Sequence, residues 1–269
     1  MKNTLIFSKL KAATLTIALG LGFLPVAAHA DMQTIRNADN AIWVSAGTGY
    51  YNYKEHITAP NLPDSERHWM PSIAAGMSSL TNTDFYYALE GSVVRGRAAY
   101  NGAYFNAPTT PLQSTTFETI TEVDAKLGRA YAVGQNALMI PYVDFGGRYW
   151  NRNLGGGQVE VYRHLETLGG VMLQSSIGNQ WVLSGYGAMG GTYLARMTTG
   201  GYAYKLHSAL TEKAGAKIGY NLTRTTELFT TADYNHFSYG KSGVVNSAYE
   251  PTSHTGETAL RVGISFHIQ

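Results

Sequence analysis

The sequence contains no cysteine. That excludes a disulfide framework, thiolate metal sites and a lipid anchor on an N-terminal cysteine. Charge is scarce as well. Asp, Glu, Lys and Arg make up 14 % of the chain and nearly cancel, leaving a formal net charge of +2. So even a balance gives no electrostatic footprint for nucleic acid, and no such partner is expected. After the first thirty residues the chain lacks any apolar run of about 20 residues, the length a spanning helix needs. Any membrane span there must be built from strands. Glycine (30) and tyrosine (19) are plentiful instead.

The first thirty residues read as an export signal. Lys2, Lys9 and Lys11 make a positive start, and residues 12–27 are apolar apart from Gly20, Gly22 and Pro25. Ala28-His29-Ala30 then fits the small-x-small rule for cleavage. This implies a signal peptide at 1–30, a short periplasmic segment at 31–40 and one β-domain over 41–269.

That β-domain divides into alternating segments at 41–54, 67–79, 84–97, 116–131, 137–151, 158–175, 180–195, 205–221, 226–239 and 255–268. Turn signals separate them. The gaps 80–83, 132–136, 176–179 and 222–225 are short, whereas 55–66, 98–115 and 240–254 are longer and polar. Short turns on one side and long loops on the other are the habit of outer-membrane barrels. The fold expected is all-β, an antiparallel transmembrane β-barrel of about ten strands, with eight as the alternative. Its expected location is the cell outer membrane of a Gram-negative bacterium.

Side-chain parity agrees. Leu260, Val262, Ile264, Phe266 and Ile268 share one face of the last segment, and Glu257, Arg261, Gly263, Ser265 and His267 take the other. Period-two alternation is strand geometry. Glu122, Asp124 and Lys126 oppose Val123, Ala125 and Leu127, Asp144 and Arg148 oppose Val143, Phe145 and Tyr149, and Lys213 and Lys217 oppose Ala214, Ala216 and Ile218. An apolar core could not hold a charged face on so many strands, whereas a polar lumen can. Aromatics cluster at segment ends (Trp43, Trp69, Phe85, Tyr87, Tyr131, Tyr149, Trp150, Trp181, Tyr193 and Tyr220), as in the lipid–water girdles of a barrel. A β-sandwich with aromatic rims is the competing reading.

Arg261, Gly263, Phe266 and Ile268 have the spacing of the terminal signal of outer-membrane barrel proteins, which this segment resembles. The run Asp233-Tyr-Asn-His-Phe-Ser-Tyr-Gly240 before a loop and last strand is similar to the final hairpin of small barrels of the outer membrane protein A, opacity-protein and adhesin kind. The resemblance implies recognition by the barrel-assembly machinery and contact with outer-membrane lipid and lipopolysaccharide. No peptidoglycan-binding domain is expected after the last strand.

The lumen would hold Glu90, Glu122, Asp124, Asp144, Glu160, Glu166, Asp233 and Glu257 against Lys126, Arg148, Lys213, Lys217 and Arg261, with His164 and His267 able to join. A ten-stranded barrel is little wider than the eight-stranded kind, whose side chains fill the interior. Mixed charge in that space is expected to pair and to plug it, since unpaired buried charge is costly. A diffusion porin needs about 16 strands.

For chemistry, His236, Ser238 and Glu250 resemble the histidine, serine and acid of the outer-membrane lipid A deacylases, where a histidine base activates a serine against an acyl ester. Parity points His236 and Ser238 outward, near the outer rim. An omptin-like protease would use paired acids such as Glu122 and Asp124 with an Asp–His pair, but Asp233 and His236 fall on opposite faces of a strand. The histidines are scattered singly and the glycines lack a phosphate-loop context, so no metal or cofactor is expected. Loops carry binding function on rigid scaffolds, so an extracellular ligand would be met there. The expected role is structural or surface-interacting, adhesin-like, with a largely plugged lumen. A narrow channel for small solutes and a lipid A-modifying hydrolase are the alternatives.

Overall fold

A computed structural model describes residues 32–57, 61–104, 107–155 and 158–268. The expected signal at 1–30 lies outside them. Ten long strands form the wall: β1 (Ala41–His56), β2 (Ser65–Leu80), β3 (Phe85–Tyr104), β4 (Ala107–Arg129), β5 (Ala137–Gly155), β6 (Gln158–Ile177), β7 (Trp181–Thr199), β8 (Leu210–Asn221), β9 (Thr226–Tyr239) and β10 (Thr252–His267). Two short strands, Tyr131–Ala132 and Tyr202–Lys205, pair with β5 and β7.

Each strand pairs antiparallel with its neighbours in sequence. β10 returns to β1 in register from Ala41↔His267 to His56↔Thr252, which closes the barrel. Closure pairs each of the ten wall strands on both sides, the condition for crossing lipid with strands.

The outer surface is apolar. Val262 is 63 % exposed while its neighbour Arg261 is 8 % exposed. Ile42, Val44, Ile73, Leu89, Val123 and Phe145 are likewise turned out. An apolar surface this continuous has no stable place in water and matches the hydrocarbon-facing band of a membrane barrel. Outward rings flank the band: Phe85, Tyr87, Tyr131 and Trp181 toward the short turns, and Trp69, Tyr149 and Tyr193 toward the long loops. Trp43 and Trp150 are not part of these girdles. Trp43 sits edge-on to the inward Phe229, and Trp150 is fully buried in the lumen. Segment-end position does not determine face. Parity does, and both share the face of their polar neighbours, Ser45 and Arg148.

Several boundaries and one register differ from the sequence expectation. The gap 98–115 is largely strand, with β3 and β4 paired from Ala98↔Thr116 to Ala103↔Pro111. Its uncharged, Thr-containing run suits a pleated surface, and pairing satisfies its backbone. The segment expected from 205 begins its main strand at Leu210, while Leu206 turns into the interior. Along β6–β7 the register shifts between Arg163↔Arg196 and Leu165↔Tyr193, where Leu194 has φ +52°. β7 thus has one extra residue, a β-bulge.

Residues 32–39 form helix α1 (Met32–Asp39) across the short-turn end. Ile35 is fully buried against Leu80, Tyr86, Leu138 and Ile140. Arg36 pairs with Asp84 and donates to the Thr81 carbonyl, and Gln174 donates to Asp39 at 2.7 Å.

Candidate functional site

The structure turns every lumen residue expected from parity inward and stacks most of them in layers. In the middle layer Arg148 spans two carboxylates, Glu257 at 2.5 and 2.7 Å and Glu122 at 2.8 Å. Lys213 lies 2.8 Å from Glu122, 2.7 Å from Asp124 and 2.6 Å from Glu166. His164 completes this level with a 2.7 Å bond to Tyr239. Nearer the short turns, Arg261 bonds Asp233 at 3.1 Å and Ser72 at 2.9 Å, and Lys126 pairs with Glu90 at 3.2 Å. Lys217 pairs with Glu227 at 2.6 Å. Asp144 is fully buried, and neither of its carboxylate oxygens has a hydrogen-bond partner. Glu122, Asp124 and Glu166 converge closely enough to suggest a cation site, but the Lys213 ammonium occupies their centre.

Of the outer layer, sequence reading found Glu160 but missed its partners. Arg152, fully buried, pairs with Glu66 at 3.2 Å and Glu160 at 2.6 Å. It lies over the rings of Tyr53 and Trp150 at 4.4 and 5.2 Å. Tyr162 stacks between Trp150 and Tyr239 at 4.8 and 5.4 Å. Parity would have placed Arg152 on the Arg148 face had the strand been read past residue 151. Around the Arg261 layer and down to α1 the lumen keeps cavities of about 140 and 70 Å³, which share Glu90, Tyr186, Asp233 and Arg261 in their walls. Each is room for a few waters, at about 30 Å³ apiece.

The expected His236, Ser238 and Glu250 array does not assemble. Glu250 is buried inward, where Tyr162 donates to it at 2.6 Å. Burial, then the charge of Glu160, pushes its carboxyl up to about 8. His236 and Ser238 share the opposite, outward face, but the serine meets a different histidine. Ser238 Oγ is 2.5 Å from Nδ1 of His254, its cross-strand partner on β10. His56 stands edge-on to His254 at 4.6 Å between centroids, and His236 stacks on it at 5.9 Å. Glu212 lies 3.8 Å from His236. With its ring neutral, His254 can accept the serine proton at Nδ1. Among the described residues no carboxylate bonds the other nitrogen of His254. Asp233 stays inward on Arg261 and Tyr186 while His236 faces out, so they form no acid–base pair.

The terminal-signal residues lie on the closing strand. Arg261 points inward, and Phe266 and Ile268 are about half exposed outside. Gly263 is forced by packing, since a Cβ there would lie 2.4 Å from the Phe229 ring and 2.5 Å from the Val44 carbonyl.

No protein-family model and no curated protein matches the chain. Solved structures do. The outer membrane protease OmpT from Escherichia coli shares 9 % identity over 86 % of this chain and 97 % of its own, with a TM-score of 0.59. The translocator domain of the autotransporter NalP from Neisseria meningitidis shares 13 % over 88 % of this chain and 95 % of its own, at a TM-score of 0.41. At such identities the likeness to OmpT is one of fold. The chain has the fold of the small outer-membrane β-barrels.

Proposed function

We propose that the protein is a non-conducting barrel of the bacterial outer membrane, exported through a cleaved signal, that acts through its outer surface in envelope structure or adhesion. One observation carries this reading: the lumen is crossed by successive ion-paired layers, Arg152–Glu66–Glu160, Arg148–Glu122–Glu257 with Lys213, and Arg261–Asp233. Opening any of them would strip buried charges of their partners, which costs several kcal/mol per site, about 3–5 for one buried pair. The paired β3–β4 hairpin beyond the girdle offers a rigid surface for a partner, with lipopolysaccharide and the assembly machinery as the envelope contacts. Refolded protein in planar bilayers is expected to show no single-channel steps. Regular steps would favour a narrow solute channel and end this reading.

The Ser238–His254 contact supports a second reading, an ester hydrolase acting on acylated lipid at the outer rim. Ser238 would attack the ester carbonyl while His254 takes its proton and returns it to the leaving alcohol. Water would then release the acyl group by the same route. Lipid A mass profiles of cells producing the wild type or Ser238→Ala test it. Identical acylation in both would dismiss it.

A further inference from the structure

The charge on the two faces of the wall separates sharply beyond the outer girdle. Glu55, Glu66, Glu118, Glu160 and Glu250 are all buried inside. On the outward face Lys54, Arg67, Arg95, Arg97, Arg163 and Arg196 are exposed. Glu212 is the one outward carboxylate among the described strand residues, and it lies beside His236.

Two of these cations meet a third in one place. Arg163 on β6 is the register partner of Arg196 on β7, and Arg196 is the register partner of Lys205 on the short strand that follows. Three cations therefore lie side by side on adjacent strands. Like charges directly opposite one another destabilise a sheet, so selection for stability alone would not assemble them.

The backbone bends to make this arrangement. Below Leu194 the odd residues of β7, such as Met189 and Tyr193, face out. Above it Ala195 and Met197 are buried and Arg196 faces out. The extra residue at Leu194, a leucine in the left-handed region at φ +52°, reverses the parity. A branched side chain rarely adopts that conformation, and bulges commonly re-aim a neighbour at a working site. The surroundings fit a lipid that is charged at its head and apolar below. Arg163 rests over the Tyr149 ring at 5.2 Å, and Leu165, Tyr193 and Leu194 are exposed at the edge of the apolar band.

We propose that Arg163, Arg196 and Lys205 form an outward site for the phosphate-bearing headgroup of an outer-leaflet glycolipid, whose acyl chains lie against Leu165, Tyr193 and Leu194. The site rests on the outer-membrane reading above. Guanidinium and ammonium groups would hold the phosphate oxygens by charge-assisted hydrogen bonds.

Native mass spectrometry of the full chain, refolded in zwitterionic detergent, tests the site. Slower or faster migration of unboiled against boiled protein on a gel first shows that a barrel has formed. No such difference would overturn the barrel reading itself, before any lipid is added. Bisphosphorylated lipid A is then expected to bind about a hundredfold tighter than its dephosphorylated form, the combined effect of three basic residues at an anionic surface. The triple variant Arg163→Gln/Arg196→Gln/Lys205→Gln should refold and lose that preference. Arg224→Gln, which removes one exposed cation at the opposite, short-turn end, should keep it. Equal affinity of the wild type for both lipids, or an unchanged preference in the triple variant, would overturn the proposal. So would equally tight binding of a sulfated polysaccharide lacking acyl chains, which would make the site one for a soluble polyanion.

Discussion

At the scale of single residues, parity revealed which side chains enter the lumen but not whom they meet. Arg148 and Glu257 are far apart in sequence, and only the barrel's closure and stagger bring them together across it. Ser238 shows the same limit. Residues two apart on a strand are separated by about 6.5 Å of backbone rise, whereas direct cross-strand partners lie about 5 Å apart, so Ser238 meets His254 rather than His236. Arg148→Met is expected to destabilise the barrel by about 3–5 kcal/mol, because Glu257 then has no cation and Glu122 keeps only Lys213. Urea unfolding in detergent reads the loss, and adding Glu257→Gln should recover part of it. Gly47 is constrained by backbone instead. A Cβ there would fall 1.9 Å from the Leu260 carbonyl oxygen, so Gly47→Ala should weaken the β1–β10 seam and lower the temperature at which the heat-modifiable gel band is lost.

At the scale of elements, strand positions and the short turns were legible because alternation and turn residues are local signals. The bulge at Leu194 was not, since an inserted residue leaves no compositional mark, and reading straight through it would turn Arg196 inward. Deleting Leu194 should instead regularise the strand, with Ala195 opposite His164 and Arg196 still outward opposite Arg163, and should stabilise the barrel at least as much as Leu194→Gly, which keeps the bulge and relieves about 1–2 kcal/mol of left-handed strain. Parallel denaturant curves of the two variants check the ordering. Glu250 was placed in a loop by sequence, but the segment between β9 and β10 folds it into the interior. Burial raises Glu250 from 4.5 to about 8 and Asp64 from 3.8 to about 6. For Glu250, between pH 4.5 and 8 the folded chain keeps a proton that the unfolded chain has released. Folding therefore takes up protons, and stability falls as pH rises through that window. Hydrogen exchange across residues 240–251, corrected for intrinsic rate, should be faster at pH 8.5 than at pH 5.5. Equal protection would mean that these carboxyls are ionised throughout.

At the scale of the whole molecule, the alternation of short and long connections was legible and the structure gathers the short turns at one end, and the small strand number was enough to expect a filled interior. Helix α1 was not legible, because eight residues of mixed polarity carry little helical signal until Ile35 finds the pocket formed by Leu80, Tyr86, Leu138 and Ile140. Its position invites the view that it is a stopper and that the barrel is a gated pore. The layers argue otherwise. Removing residues 32–39 would uncover the cavity of about 140 Å³ at that end and leave the Arg148, Lys213 and Arg152 layers intact above it. A bilayer carrying the shortened chain is therefore expected to stay silent, with lower thermal stability as the visible loss. If it conducts, α1 is the seal and the ion-paired layers yield to hydrated ions. If it stays silent until Arg148 is also replaced, the seal is the charge network, and the helix serves to finish the core.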